Sequence, residues 1–257
     1  MTASQLPLVA HWSFSQLLFS PRTLGMAILA MTPVFVALVY RAAVALALAA
    51  QTSSFGVFSV VTATVSFPFV APMLSLFYAS GVVTDDAEAG TLHYFLTRPI
   101  ERRDLFLGRA LGNLIVVLFL FLPPFVLCYY LTLAGNGWEE LGNRFPTLVR
   151  DIVAATLGIF AYSGLFSLAG TVLKRPLIFG LFFVFAWQTA AAIVPGAVRY
   201  LTVTHYLHSL LRQERLQGVL AALGSQPSSA TEAVLALLAI GIATHGLAIW
   251  VFTQKEI

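Results

Sequence analysis

The chain has 257 residues, of which 59% are hydrophobic and only 10% are charged, with a formal net charge of +3. An ordinary soluble domain is about 25% charged, so this composition excludes a water-soluble globular protein, and the small positive charge gives no reason to expect nucleic-acid binding. The one cysteine, Cys128, excludes an internal disulfide and a cysteine metal site. The sequence therefore predicts an integral membrane protein.

The predicted elements begin with an apolar stretch at residues 6–20, which contains Pro7, His11 and Trp12. It has no Lys or Arg and so lacks the basic start of a signal peptide. We expect an amphipathic helix lying at the membrane interface. Six apolar stretches follow, each near the roughly 20 residues that a membrane helix needs, and they predict an all-α protein with six spans. They lie at about 24–50, 55–80, 105–133, 148–173, 177–194 and 233–252.

The loops between these spans differ in length and charge. With both termini in the cytoplasm, eight Lys and Arg residues fall on the inner side and six on the outer side, which favours that orientation. The segment 134–147 contains Gly, Asn and Pro and predicts a short outer loop. The longer outer loop, 195–231, has leucines at helical spacing, so we expect one or two short helices at the outer membrane surface. No repeat or soluble domain interrupts the chain, and 1–257 is predicted to form one transmembrane domain.

The stretch "DDAEAGTLHYFLTRPIERRDLFLGR", residues 85–109, holds nine of the 25 Asp, Glu, Lys and Arg residues of the chain. Asp85 and Glu88 have the spacing of a capping box, which favours a helix start. Arg98-Pro99 then interrupts the short apolar segment that follows. This pattern predicts a short amphipathic element at 85–104, lying across the cytoplasmic face between the second and third spans.

The same stretch resembles the first cytoplasmic loop of type-2 ABC transporter permeases. In that family the loop reads approximately E-x-E-x-G-T-L, a few apolar positions, and then P-[IV]-x-R-x-[ED]-[IL]-x-x-G-[KR]. The matching residues here are Asp86, Glu88, Gly90, Thr91, Leu92, Pro99, Ile100, Arg102, Asp104, Leu105, Gly108 and Arg109. Asp86 replaces the family's Glu and Arg109 its Lys. The chain also ends in a family-like way, with Phe252, Lys255, Glu256 and Ile257.

The resemblance implies a six-span permease subunit of an exporter in a bacterial cytoplasmic membrane. It implies two partners, a cytoplasmic ABC ATPase and a second permease unit, identical or related. ATP and Mg would be held by the ATPase, with no cofactor on this chain. The implied coupling residues, which would contact the ATPase, are Asp86, Glu88, Gly90, Thr91, Leu92, Arg98, Pro99, Arg102 and Asp104.

Nucleotide chemistry on this chain would require a lysine after a Gly-rich turn, in the pattern G-x-x-x-x-G-K-[ST]. The chain has only two lysines, Lys174 and Lys255, which follow Leu173 and Gln254. Neither fits the pattern, so we expect the ATPase on a separate subunit.

Two polar residues inside predicted spans, Gln188 and His245, are candidates for a cargo path because polar groups at membrane depth are costly. A packing hydrogen bond is the alternative interpretation for both. His205 and His208 have a spacing at which two imidazoles could hold a metal, although no third ligand follows at a clear spacing. Two other functional classes also stay open, a membrane-embedded lipid-modifying enzyme and a secondary transporter.

Overall fold

The computed structural model describes residues 6–46, 53–82, 84, 101–135, 137–187, 200, 202–211 and 228–254. Nearly all of these residues are helical, and none of them lies in a strand. The α-helices are α1 Leu6–Leu18, α2 Pro21–Ala30, α3 Thr32–Ala45, α4 Ser54–Val61, α5 Ala71–Ala79, α6 Arg102–Leu133, α7 Trp138–Val172, α8 Pro176–Phe182, α9 Val203–Leu211 and α10 Ala230–Gln254. A π-helical segment, Thr62–Val70, joins α4 to α5, and a second one, Phe183–Trp187, continues α8.

Five helical stretches are long and apolar enough to cross a membrane, and together they confirm the predicted all-α membrane fold. They are Pro21–Ala45, Ser54–Ala79, Arg102–Leu133, Glu139–Val172 and Ala230–Gln254. The predicted span at 177–194 is represented by a shorter apolar helix, Pro176–Trp187. Residues 188–194 lie outside the described part of the chain, so a full sixth span stays a prediction.

The first span is divided into α2 and α3 because Pro33 has no N–H to donate to the carbonyl of Leu29, four residues earlier. The hydroxyl of Thr32 donates to that carbonyl instead, at 2.6 Å. A local side chain thus satisfies the freed backbone oxygen, as a helix in a membrane requires.

The second span contains a comparable interruption at Pro68. Here the replacement hydrogen-bond donor comes from a distant part of the chain. In a π-helix the N–H of each residue donates to the carbonyl five residues earlier, so the missing N–H of Pro68 leaves the carbonyl of Ala63 without that donor. Nε2 of His208, in α9, lies 3.1 Å from this oxygen. Because a carbonyl only accepts, the imidazole donates through Nε2–H.

Helix α9 confirms the prediction of a short helix within 195–231, and it packs among the longer helices of the bundle. It packs against α7, α10 and the π-helical segment Thr62–Val70, and Leu207 lies directly against Gly158 of α7. Its side chains Val203, Leu207, Leu210 and Leu211 are almost fully buried. Their helical spacing gives α9 an apolar face, and the neighbouring helices cover that face.

The prediction that 134–147 forms a loop is wrong for most of its length, because α7 already begins at Trp138. The turn is short and includes Gly137, whose φ of 88° is favourable only for glycine. Glu139 and Glu140 lie in the first turn of α7, where negative charge complements the helix dipole. Pro146 lies in the third turn of the same helix and does not interrupt it.

Candidate functional site

The predicted coupling residues fall into two groups in the structure. Asp86, Glu88, Gly90, Thr91, Leu92, Arg98 and Pro99 lie outside the described residues, so their roles stay predictions. Arg102 and Asp104 lie in the first turn of α6. Glu101 precedes that turn in an extended conformation, and the carboxylate of Asp104 is well placed for the positive end of the helix dipole.

Described residues on either side of positions 85–104, which we call the charged loop, belong to one small apolar cluster, which we call the junction core. Its buried members are Val9, Val82, Leu105, Phe106, Ala110, Ala248 and Phe252. Val82 precedes the charged loop and Leu105 follows it, while Val9 comes from α1 and Phe252 from the end of α10. The rings of Phe106 and Phe252 are 5.7 Å apart. Residues of α1, α6, α10 and the helical turn that follows α5 therefore share one apolar cluster.

Helix α1 packs closely along the beginning of α6 because two glycines leave room for its backbone. A Cβ at Gly108 would lie 2.7 Å from the Val9 side chain, and one at Gly112 would lie 2.7 Å from Cβ of Ser13. Small residues four positions apart are a common means of close helix packing in membranes. Helix α1 is therefore held against the third span, with only part of its surface left for the membrane interface.

Arg109 is buried beside this contact, with 7% of its surface exposed. Its guanidinium carbon lies 5.0 Å from the centre of the Trp12 ring of α1, which is a cation–π distance. The family-like Arg109 thus contributes to the attachment of α1 to α6.

A chain of hydrogen bonds joins α1, α2, α5 and α6 at the same end of the bundle. The amide of Asn113 donates to the carbonyl of Tyr78 at 2.7 Å, and the hydroxyl of Ser13 donates to the Asn113 oxygen at 3.4 Å. The hydroxyls of Tyr78 and Thr23 are 2.8 Å apart, and Thr23 also donates to the carbonyl of Leu17 at 2.6 Å. These buried bonds fix the orientation of four helices around the segment that leads into the charged loop.

Sequence reasoning did not identify this hydrogen-bonded chain. Asn113 was the available signal, because it is a single amide in the long apolar run of the third span, and such groups usually bond to a neighbouring helix. The pair Gly108 and Gly112 was a second signal for close packing. Both features predict contact with another helix, although neither identifies α1 as the partner.

His245, one of the two cargo-path candidates, lies where α10 contacts α7. Its Nδ1 is 2.9 Å from the carbonyl of Gly241 in its own helix, and its ring stacks on Phe160 of α7 with centroids 5.0 Å apart. This environment is a packing contact, and a role in a cargo path stays a prediction. Gln188, the other candidate, lies outside the described residues.

The two histidines of α9 each have a separate partner. Nε2 of His205 lies 3.1 Å from the hydroxyl of Ser228, and His208 bonds to Ala63. Burial is the main cause that lowers the pKa of His208 below its ordinary value, which keeps the imidazole neutral at pH 7. Within the described ranges, no group of three or more His, Cys, Asp or Glu residues is arranged to hold a metal ion.

A family model described as "ABC-2 family transporter protein" matches residues 9–257. No curated protein matches the chain. The matched range includes both flanks of the charged loop, the junction core and every described span.

Proposed function

Because this chain belongs to the ABC-2 family of transporter proteins, and is therefore a membrane permease of an ABC transporter, we propose that a separate cytoplasmic ATPase drives it by docking at residues 85–104. The ATPase supplies the bound ATP and Mg. Two permease units, identical or related, form the transport path between them. The direction we propose is export, with both termini in the cytoplasm of a bacterial inner membrane.

The observation that carries the proposal is the junction core. A loop that is displaced by a soluble partner can move the spans only if it is in contact with them. Binding of the partner shifts the conformation of the permease through those contacts, provided that they differ between the two states. Val82 and Leu105 attach the two ends of the loop to one apolar cluster, with exposures of 4% and 3%. The glycine contacts and the Asn113 bonds connect this cluster to α1 and α5, and the bond between Tyr78 and Thr23 extends the connection to α2.

In the proposed cycle, ATP binding closes the two ATPase subunits and moves the loops docked on them. The loop of each permease moves the ends of the second and third spans together, because both pack in the same junction core. The cavity between the two permease units then changes from inward-facing to outward-facing. Hydrolysis and release of phosphate return the assembly to its starting state.

The test is purification of the chain from its native membrane in mild detergent, followed by mass spectrometry and an ATPase assay. We expect a stoichiometric P-loop protein and ATP hydrolysis in the preparation. Glu88→Ala should release the ATPase or uncouple its activity from the permease. The matched control is Glu139→Ala, which removes an exposed glutamate at the opposite end of the described bundle.

A stable, monodisperse chain that retains no ATPase would contradict the proposal and favour the lipid-modifying enzyme or the secondary transporter. Equal loss of the ATPase in Glu88→Ala and Glu139→Ala would contradict docking at 85–104, since only one of these residues lies in that loop.

A further inference from the structure

The second span can form two patterns of backbone hydrogen bonds around its proline, and the structure shows one of them. The π-helical segment Thr62–Val70 has nine residues, and the N–H of Ala71 at its end donates to the carbonyl of Ser66, five residues earlier. The α-helices α4 and α5 continue the span on either side. Because π-helical turns are rare and are frequent at functional sites, this segment is a candidate for a conformational change.

Pro68 leaves one carbonyl without its backbone donor in each of the two patterns. In a π-helix the missing N–H would be directed to the carbonyl of Ala63. In an α-helix the N–H of Phe67 would donate to Ala63, and the carbonyl of Thr64 would instead lose its donor and meet the proline ring. The balance between the two forms therefore depends on which of these carbonyls receives a hydrogen bond from elsewhere.

Helix α9 supplies a donor to the carbonyl that the π-helical form leaves. Nε2 of His208 lies 3.1 Å from the oxygen of Ala63. This hydrogen bond stabilises the π-helical form specifically, since in the α-helical form Phe67 would serve the same oxygen. Loss of the imidazole would therefore shift the balance toward the α-helical form.

Helix α9 is itself attached to α7 near both of its ends. The hydroxyls of Tyr162 and Thr204 are 2.9 Å apart at the start of α9. At its end, the guanidinium of Arg150 donates to the carbonyl of Leu211 at 2.9 Å. His208 therefore connects the π-helical segment of the second span to α7 through a helix that is held in place.

The two halves of the second span have different surroundings. In α4, the ring of Phe58 lies 5.5 Å from that of Phe125 and 5.3 Å from that of Tyr129, both in α6. The half that contains α5 leads to Val82 in the junction core. A change from π-helical to α-helical bonding between them would rotate α5 relative to α4, because the two helix types differ in the number of residues in a turn.

From these contacts we propose that Thr62–Val70 is a hinge of the second span and that His208 is its latch. The imidazole holds the π-helical form, and its withdrawal from Ala63 allows the hinge to adopt the α-helical pattern. A segment with two discrete arrangements can convert a small displacement at one site into a larger one at another. Movement of the hinge in an ATP-driven cycle rests on the proposed function, whereas the control of the helix form by His208 does not.

The test is amide hydrogen exchange of the purified full-length chain in detergent, together with whatever ATPase copurifies, measured by mass spectrometry of peptides that cover 62–70. His208→Leu should accelerate exchange in these peptides about tenfold, which is the effect of losing one strong interhelical hydrogen bond. His208→Gln, whose side-chain amide can also donate, should exchange at close to the wild-type rate. A non-hydrolysable ATP analogue should raise the wild-type rate toward that of His208→Leu and change the variant little.

Two controls separate the hinge from general destabilisation. His205→Leu removes an imidazole from the same helix, where Nε2 lies 3.1 Å from the hydroxyl of Ser228, and it should leave exchange at 62–70 unchanged. Peptides that cover 114–122 of α6 should exchange at the same rate in every variant. In a Pro68→Ala background, where the backbone donor is restored, His208→Leu should no longer accelerate exchange at 62–70.

Three outcomes would overturn the proposal. One is equal exchange of 62–70 in the wild type and in His208→Leu, and another is equal acceleration in His205→Leu. The third is a nucleotide analogue that alters exchange in the charged loop but not at 62–70, which would show that the loop moves without the hinge. Absence of an ATPase from the preparation would contradict the proposed function alone, because the comparison of His208→Leu with His208→Gln needs no nucleotide.

Discussion

The hydrogen bond between His208 and Ala63 permits a test of why the second span tolerates a proline. Replacing His208 with Leu removes the donor that α9 supplies to the Ala63 carbonyl. Replacing Pro68 with Ala restores the N–H that a π-helix directs to the same carbonyl. The two changes should therefore be strongly coupled.

The size of the expected loss in stability depends on which partners the Ala63 carbonyl finds when the helices are separated. Interhelical hydrogen bonds in membranes contribute about 0.6 kcal/mol on average and about 1.7 at most, because the separated helices find other partners. Here a separated second span would still contain Pro68, so the Ala63 carbonyl would still lack a donor. We expect a cost near the upper end, about 1.5 kcal/mol, for His208→Leu in the wild-type background. In the Pro68→Ala background the cost should fall below about 0.5 kcal/mol, a coupling of about 1 kcal/mol.

The chain provides its own reporter of unfolding. Cys128 is the one cysteine and is 1% exposed, so a thiol-reactive fluorogenic dye labels it only when α6 loses its packing. Apparent midpoints at a fixed heating rate in detergent would compare the four members of the cycle. A cost of 1.5 kcal/mol corresponds to a decrease of about 3–6 °C for a chain of this size.

His205→Leu is the matched control, because His205 lies on the same helix and bonds to Ser228 instead. Its effect should be the same with Pro68 and with Ala at that position. If His208→Leu also has the same effect in both backgrounds, the explanation of the Ala63 contact is wrong.

Three further predictions concern the other contacts described above. Gly112→Leu should destabilise the chain by about 1–3 kcal/mol because the new side chain clashes with α1. Gly246→Leu, at a position with open space, should not destabilise it. Equal unfolding midpoints for these two variants in the dye assay would refute the prediction. Asn113→Leu should cost about 1–2 kcal/mol because the Tyr78 carbonyl loses its donor, and an unchanged midpoint would show that the bond contributes nothing. Because burial lowers the pKa of His208 from 6.5, the unfolded chain binds more protons, so stability should decrease as the pH falls below about 6.5; a pH series in which His208→Gln does not reduce that dependence would contradict the assignment.

The spans could be predicted from the sequence because a membrane imposes one simple requirement, a long apolar run, on each helix. The limits of that reasoning appear at prolines and turns. Pro146 and the Gly and Asn residues near it predict a loop, yet α7 continues through Pro146. The partner of Ala63 lies 145 residues away, and no local pattern specifies such a pairing.

In the candidate site, too, some features can be predicted from the sequence and others cannot. The spacing of the residues is enough to identify the family-like motif, whereas the structure begins α6 at Arg102 and so places Arg102 and Asp104 in its first turn. The contacts of α1 with Gly108 and Gly112 depend on how two separate helices cross. The sequence contains the small residues that permit this approach but does not specify which helix occupies the space.

The length of α6 has a mechanical consequence. Its 32 residues form one continuous helix that includes Pro123 and Pro124, and at 1.5 Å per residue its length along the chain is about 48 Å. One end adjoins the charged loop and the other adjoins the turn before α7. If the helix pivots by about 5° at the end next to the charged loop, a length of about 48 Å displaces its other end by about 4 Å. The helix can therefore act as a lever that converts a small rotation on one side of the membrane into a movement the width of a side chain on the other.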